Sequence, residues 1–336
     1  MKTTAILTAV LGALLVLGGC GQNTGYLITP VPLNEKLAES VVQSDCVWPE
    51  TAKIAIIDVE GLLINERGGG FFGSGENPVE QFAEKLDMAA CDKQVKAVLL
   101  RVNSPGGTVA ASQIMYEALR RFRDKTHKPV YAHILDLGAS GGYYVACGAE
   151  KISAQSTSIT GSIGVLIQTV SFSGTMVKLG IKAEAIKSGP MKDMASPLRV
   201  MSAEDRKVLQ AMVDEFYAQF LKVVGENRKN LQPERIKELA DGRVYTGQQA
   251  LALGLVDQVC TLEDSLAAVK KAAGLARAKV IMYHRPLGGK NNVYSEAQNS
   301  PSSVSQFNLV NLQAGASSDL FMLRRPCFLF LWSLDN

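Results

Sequence analysis

The sequence predicts an α/β protein with a mostly parallel sheet flanked by helices. Three short β-branched runs carry that expectation: "KIAIIDVEG" (53–61), "VKAVLLRV" (95–102) and "KPVYAHILD" (128–136). Each reads as a strand buried on both faces, apolar without polar alternation. Between them lie "VEQFAEKLDMAAC" (79–91) and "VAASQIMYEALRRFRDK" (109–125), whose apolar residues recur at helical spacing. Alternation of this kind argues for parallel strands joined by crossover helices.

The remaining elements follow in order. "GGGFFGSGENP" (68–78) reads as a loop and "NSPGG" (103–107) as a turn. "ITGSIGVL" (159–166) and "KAEAIKSG" (182–189) read as further strands, and "KDMASPLRVMS" (192–202) as a loop. Ser202, with Asp205 three residues on, starts a long helix that runs to about Arg228, with Val208, Met212, Phe216 and Phe220 on one side. "GRVYTGQQALALGLVDQV" (242–259) is turn, helix and strand, and 262–274 a last helix.

Composition bounds the function. The 336 residues are 47% hydrophobic and 20% charged, which suits a globular chain with a real core. Net charge is +3, from 35 basic and 32 acidic residues, so no electrostatic footprint for nucleic acid exists. The six cysteines include no CxxC pair and the three histidines are scattered, so no metal site of usual spacing can be drawn and no cofactor is expected. Cys147 lies in an apolar run and is expected in the core.

The first 19 residues read as a signal peptide: Lys2, an apolar run from Ala5 to Leu17, then Gly18-Gly19-Cys20. "LGGC" resembles a bacterial lipoprotein box, which implies cleavage before Cys20 and lipid on its thiol. Residues 20–50 are polar and read as a tether, 51–284 as the folded domain, and 285–336 as a disordered tail rich in Gly, Asn, Ser and Gln. The expected location is therefore the bacterial cell envelope, lipid-anchored, with the domain on the extracytoplasmic side.

A candidate site assembles from separate motifs. In "DLGASGGYYVACGA" (136–149), Ser140 sits at a strand-to-helix turn, at the sheet edge where open α/β folds place their sites. The Gly141 N–H would be unpaired at a helix N-terminus. Gly106 and Gly107 of "NSPGG" allow close approach of backbone to a ligand, and a free N–H there could stabilise an oxyanion. The base is open on residue grounds. His127, His133 and His284 suit it poorly; Lys187 and Lys192 in "KSGPMKDMASP" could serve if neutral.

"NSPGG", "ASGGYYVA", "TGSIGV", "KSGPMKDMASP" and "VYTGQQALALGLVD" occur in this order. Together they resemble the signal peptide peptidase A family of Ser-Lys serine peptidases, over about residues 50–280. The resemblance implies a crotonase/Clp-protease-like fold, Ser140 as nucleophile and Lys192 as general base. It implies an oxyanion hole at Gly107 and Gly141, supported by Gly106, with Ser162 orienting the lysine and Lys187 structural or substrate-facing. It further implies a homo-oligomeric ring in which Lys192 can act across protomers on peptides such as released signal peptides. Two other readings stay open at this stage: a crotonase-like acyl-CoA enzyme, and a catalytically retired scaffold of the same fold.

Overall fold

The computed structural model describes residues 36–45, 52–66, 69–70, 73–74, 76–285, 292–295 and 327–332. Residues 1–35, with the signal-like segment and Cys20, lie outside them, as does Cys46.

The expected α/β architecture is present. The main sheet runs β1 (Ala38–Ser44), β11 (Lys279–His284), β2 (Lys53–Leu63), β5 (Val95–Thr108), β6 (Val130–Ala139), β7 (Lys151–Ala154) and β10 (Gln258–Val259). All these neighbours are parallel except β1 with β11. A small separate pair, β3 (Gly69–Gly70) and β4 (Gly73–Ser74), lies within the expected loop.

Successive residues of a strand point to opposite faces, and both faces are covered. From β2 and β5, Ala55, Ile57, Val98 and Leu100 pack with helices α1 (Pro78–Cys91), α2 (Val109–Thr126) and α3 (Gly141–Ala146). Their neighbours Ile54, Ile56, Ala97 and Leu99 pack on the other face against Leu262, Leu266 and Val269 of α8 (Leu262–Ala272). Buried on both faces, these strands have no polar alternation to show, which is why their apolar runs are so plain.

Two bulges shape the region that matters for function. β2 shifts register between Glu60 and Leu62, and β5 between Val102 and Ser104. Beyond these points the pairing partners change. β5 now pairs with Leu62 and Leu63 on one side, while the end of β6 pairs with β8 (Ile159–Gly161), which turns antiparallel to β9 (Val244–Thr246). The free side of β5 takes β12 (Leu329–Leu331), antiparallel.

The helix ends follow sequence chemistry. Ser202 and Asp205 form a capping box at α5 (Ala203–Asn227), and Thr261 and Asp264 form another at α8. Pro233 opens the short α6 (Pro233–Leu239), and Thr246 with Gln249 caps α7 (Gly247–Ala252).

Four expectations are corrected. "NSPGG" is extended strand, because Leu62 and Leu63 on one edge and β12 on the other satisfy its backbone. Residues 182–189 form no strand; 182–188 are exposed and lack a strand partner, within an arm (167–201) that carries one short helix, α4 (Ser173–Lys178). The tether assigned to 20–50 includes β1, an edge strand held by register with β11 and the burial of Val42. The tail assigned to 285–336 is ordered at 292–295 and 327–332. Arg101, paired with Asp58 at 2.7 Å on a buried face, also donates to the carbonyls of Val293 and Ser295 and so fixes the first segment. Sheet pairing fixes the second.

Cys147 lies in the core as expected, fully buried, with burial pushing its thiol up to about 11. Cys91, Cys147, Cys260 and Cys327 are all free thiols. Among the described residues no helix is long and apolar enough to cross a membrane.

His133, on β6, is buried against Ser153 (Nδ1 to Oγ 2.9 Å), and burial pushes its imidazole down to about 4. The unfolded chain, with an ordinary imidazole near 6.5, therefore binds more protons than the fold between pH 6.5 and 4. Stability falls as pH drops through that window, by about 3 kcal/mol at its lower end. Urea unfolding at about pH 7 and about pH 4.5 should show the loss, and His133→Leu should flatten it.

Candidate active site

The site stands where the end of β6 pairs with β8, beyond the register shift of β5. Ser140 follows the last residue of β6 and is the N-cap of α3, with φ 50 and ψ −115. A positive φ in a residue with a Cβ is strained by about 1–3 kcal/mol and persists only where surroundings over-determine it. Here they do. The Ser140 N–H donates to Gly161 O at 2.8 Å, and the Tyr144 N–H to Ser140 O at 2.9 Å. The hydroxyl makes no capping bond to the helix, so it is not spent on structure. The helix beyond it is buried at every residue.

Ser162 repeats the geometry next door. Ala139 is in register with Gly161, so Ser140 and Ser162 leave neighbouring strands side by side. Ser162 also has a positive φ, 49°, and its N–H donates to Arg243 O at 2.8 Å. Both serines are buried, at 1% and 6% exposure.

The glycines meet opposite. A Cβ on Gly106, whose φ is +103°, would fall 2.6 Å from Gly141 N. A Cβ on Gly141 would fall 3.1 Å from Gly107 N and 2.4 Å from Ser112 Oγ. Only glycine permits this approach of β5 to the first turn of α3. It brings the Gly107 and Gly141 nitrogens close together beside the turn that carries Ser140.

Ser104 is a residue that sequence reasoning missed. Its buried hydroxyl donates to Gly61 O at 2.6 Å and accepts from the Gly106 N–H at 3.0 Å, tying the bulge of β2 to the glycine segment of β5. Its place in "NSPGG" is the available signal, hidden when that segment is read as a turn.

The lysines lie on the arm. Lys187 pairs with Asp193 at 2.7 Å and donates to Pro190 O, a structural tie. Arg199 joins the same carboxylate and reaches Asp205. Hydrogen bonds from Arg199 and Lys187 hold Asp193 down at about 2. Lys192 is exposed; its backbone N–H donates to Gly189 O at 3.2 Å, and its amine has no hydrogen bond or ion pair among the described residues. The histidines are occupied elsewhere: His127 ends α2, His133 binds Ser153, and His284 binds Ser40. A cavity of about 590 Å3 opens beside Ser162, lined also by Gly164, Tyr217, Asp241 and Trp332.

A strained serine whose hydroxyl makes no capping bond, set beside close-packed glycines, fits a hydrolase of the serine class. Residues 122–276 match the family model described as peptidase family S49. The chain is 39% identical to the Enterococcus faecium protein named "Putative signal peptide peptidase SppA", over 70% of this chain and 68% of that one. It is 44% identical to "Putative protease slr0021" of Synechocystis, over 70% and 80%. It is 30% identical to "Serine protease SPPA, chloroplastic" of Arabidopsis thaliana, over 68% of this chain but 34% of that longer one. Among solved structures, a ClpP1 mutant from Listeria monocytogenes aligns with a TM-score of 0.41 and 13% identity, over 63% of this chain and 94% of that one. The chain belongs to peptidase family S49, the signal peptide peptidase A family, and is a serine peptidase. Membership sets aside the acyl-CoA reading.

Strain at Ser140, the candidate nucleophile, gives opposed effects on stability and activity. Ser140→Gly should gain about 1 kcal/mol in urea unfolding, because glycine accepts φ 50 without cost, while peptide hydrolysis is lost. A variant that is less stable than the parent would show that the positive φ is not strained.

Proposed function

We propose that the protein is a lipid-anchored endopeptidase of the cell envelope that cleaves apolar peptides, such as released signal peptides, with a Ser140–Lys192 dyad. The observation that carries the reading is Ser140 itself: buried, at positive φ, beside Gly107 and Gly141, with a hydroxyl that serves no structural bond. Neutral Lys192 takes the Ser140 proton as Oγ attacks the peptide carbonyl. Gly107 and Gly141 donate to the oxyanion, and Gly106 allows their approach. Lys192 then protonates the leaving amine, and water releases the acyl group from Ser140. Ser162, abreast of Ser140, orients the lysine amine.

The lysine comes from a second copy in this reading. The arm that bears Lys192 exposes Val170, Phe172, Val177, Leu179, Ile186 and Val200, an apolar display that favours a protein partner. The cavity beside Ser162 is open to an incoming side chain. A homo-oligomeric ring satisfies both features.

The dyad is tested by mixing. Ser140→Ala and Lys192→Ala should each lower hydrolysis of a signal-peptide-like substrate by about 10⁴-fold or more. Co-assembled, the two variants should recover activity, because an intact lysine of one copy meets an intact serine of the other. Undiminished turnover in either single variant would refute the dyad, and no recovery on mixing would place the lysine in the same chain.

The anchor rests on the basic start, the apolar run and "LGGC". A bacterial host fed an alkynyl fatty acid should label the full chain, and Cys20→Ser should abolish the label and release the protein from membranes. Labelling that survives Cys20→Ser would overturn the lipid assignment.

A further inference from the structure

β5 reaches the site through an interruption of its own ladder. Between the pairs Glu60–Asn103 and Leu62–Gly106, β2 has one residue, Gly61, and β5 has two, Ser104 and Pro105. A regular ladder cannot continue across that mismatch. Against β6 the same point carries a second register shift, between Val102 and Ser104. Side chains supply partners here. Asn103 Oδ1 accepts from the Leu137 N–H at 3.2 Å, and Thr160 Oγ1 donates to Gly138 O at 2.7 Å.

Ser104 is placed to act on the glycines. It is fully buried. Its hydroxyl gives its one proton to Gly61 O at 2.6 Å and accepts from the Gly106 N–H at 3.0 Å. A hydroxyl that donates to a carbonyl is the stronger acceptor, so the two bonds reinforce each other. α3 closes the other side: a Cβ on Gly142 would fall 2.8 Å from Ser104 O and 3.3 Å from Ser104 Cβ. One residue therefore meets the bulge of β2, the glycine segment of β5 and the first turn of α3.

The bond to Gly106 bears on the chemistry. Peptide groups are planar, so only the two torsions of Gly106 separate its own amide from the Gly107 N–H. Gly106 has φ +103° and, as glycine, can leave that value at little cost. The segment does not hold its own peptide planes, and its amide must be held from outside. Ser112 does not do this, although its Oγ lies beside Gly141. Its hydroxyl donates to Thr108 O at 3.0 Å, at the cap of its own helix.

We propose that Ser104 is a positioning residue for peptide hydrolysis, whose hydroxyl sets the Gly106 amide and through it the Gly107 N–H that meets the developing oxyanion. The role rests on the proposed mechanism, with Ser140 as nucleophile and Gly107 and Gly141 as donors. Ser104 touches no reacting atom. Its loss leaves the serine and the substrate groove in place and frees the donor to turn away. The transition state is then held less well, and ground-state binding is kept.

The experiment uses the full chain. It measures kcat and KM on a signal-peptide-like substrate, inhibition by a peptide aldehyde whose adduct with the serine carries the same oxyanion, and urea unfolding. Ser104→Ala should lower kcat by about 100-fold and weaken the aldehyde by a similar factor, with KM changed by less than about threefold. Ser104→Thr, which keeps a hydroxyl, should restore kcat to within about tenfold of the parent. Ser153→Ala is the control. Ser153 is also buried, with its hydroxyl bonded to Ala132 O, His133 and Ser265, and it lies on β7 at the register of His133, far back along the strand from Ser140. This variant should unfold at lower urea, as Ser104→Ala does, yet keep the parent's kcat. If Ser104→Ala does not fold, Ser104→Cys takes its place; its weakly bonding thiol should lower kcat by about tenfold or more. A folded Ala or Cys variant with the parent's kcat, a loss that lies in KM alone, an equal loss of kcat in Ser153→Ala, or no recovery in Ser104→Thr overturns the role and leaves the peptidase reading standing. A folded parent that cuts no peptide overturns both.

Discussion

The close approach of Gly106 and Gly107 to Gly141 is the constraint on which the rest of the site depends. No side chain fits there: a Cβ on Gly107 would lie 1.9 Å from Leu63 O, and one on Gly141 would lie 2.4 Å from Ser112 Oγ. Backbone therefore faces backbone at this point of the fold. The bulges in β2 and β5 aim the glycine strand at α3, and the Ser104 hydroxyl ties the two bulged segments together. Ser140 can hold a positive φ because β8 and α3 anchor the backbone on either side of it.

The same constraint separates function from stability. Most of the molecule follows ordinary preferences: β-branched strands buried on both faces, capped helices, and most charges at the surface or paired, with Lys85 buried. Two departures stand together. Ser140 and Ser162 are two of the four non-glycine residues at positive φ among the described residues, and they stand at one register on neighbouring strands. The site is thus recognisable in the backbone before any side-chain chemistry is considered.

Much of this is legible in the sequence, for identifiable reasons. The central strands show as unbroken apolar runs because helices cover both their faces. Ser140 shows as a strand-to-helix turn, and its glycine partners as a separate motif. What does not show is pairing over long distances. "NSPGG" looks like a turn because its partners are about 40 residues earlier and more than 200 residues later. "KAEAIKSG" has strand-like residues but no strand to pair with among the described residues. "FLFLW" has the composition of a strand, but a polar low-complexity stretch before it masks the signal. Local pattern records what a segment can form; it does not record which partner is available.

The place of β11 has a consequence for how the chain folds. Among the described residues it is the last strand but one in sequence, yet it lies between the first two, β1 and β2. Their places beside it stay empty until residues 279–284 arrive, and every crossing from β2 to β11 closes a loop of more than 200 residues. Loop closure on that scale is slow, so the amino-terminal strands wait with open edges through synthesis. A chain built this way completes its sheet only when nearly all of it has been made, and its early segments stay in a state that chaperones can hold.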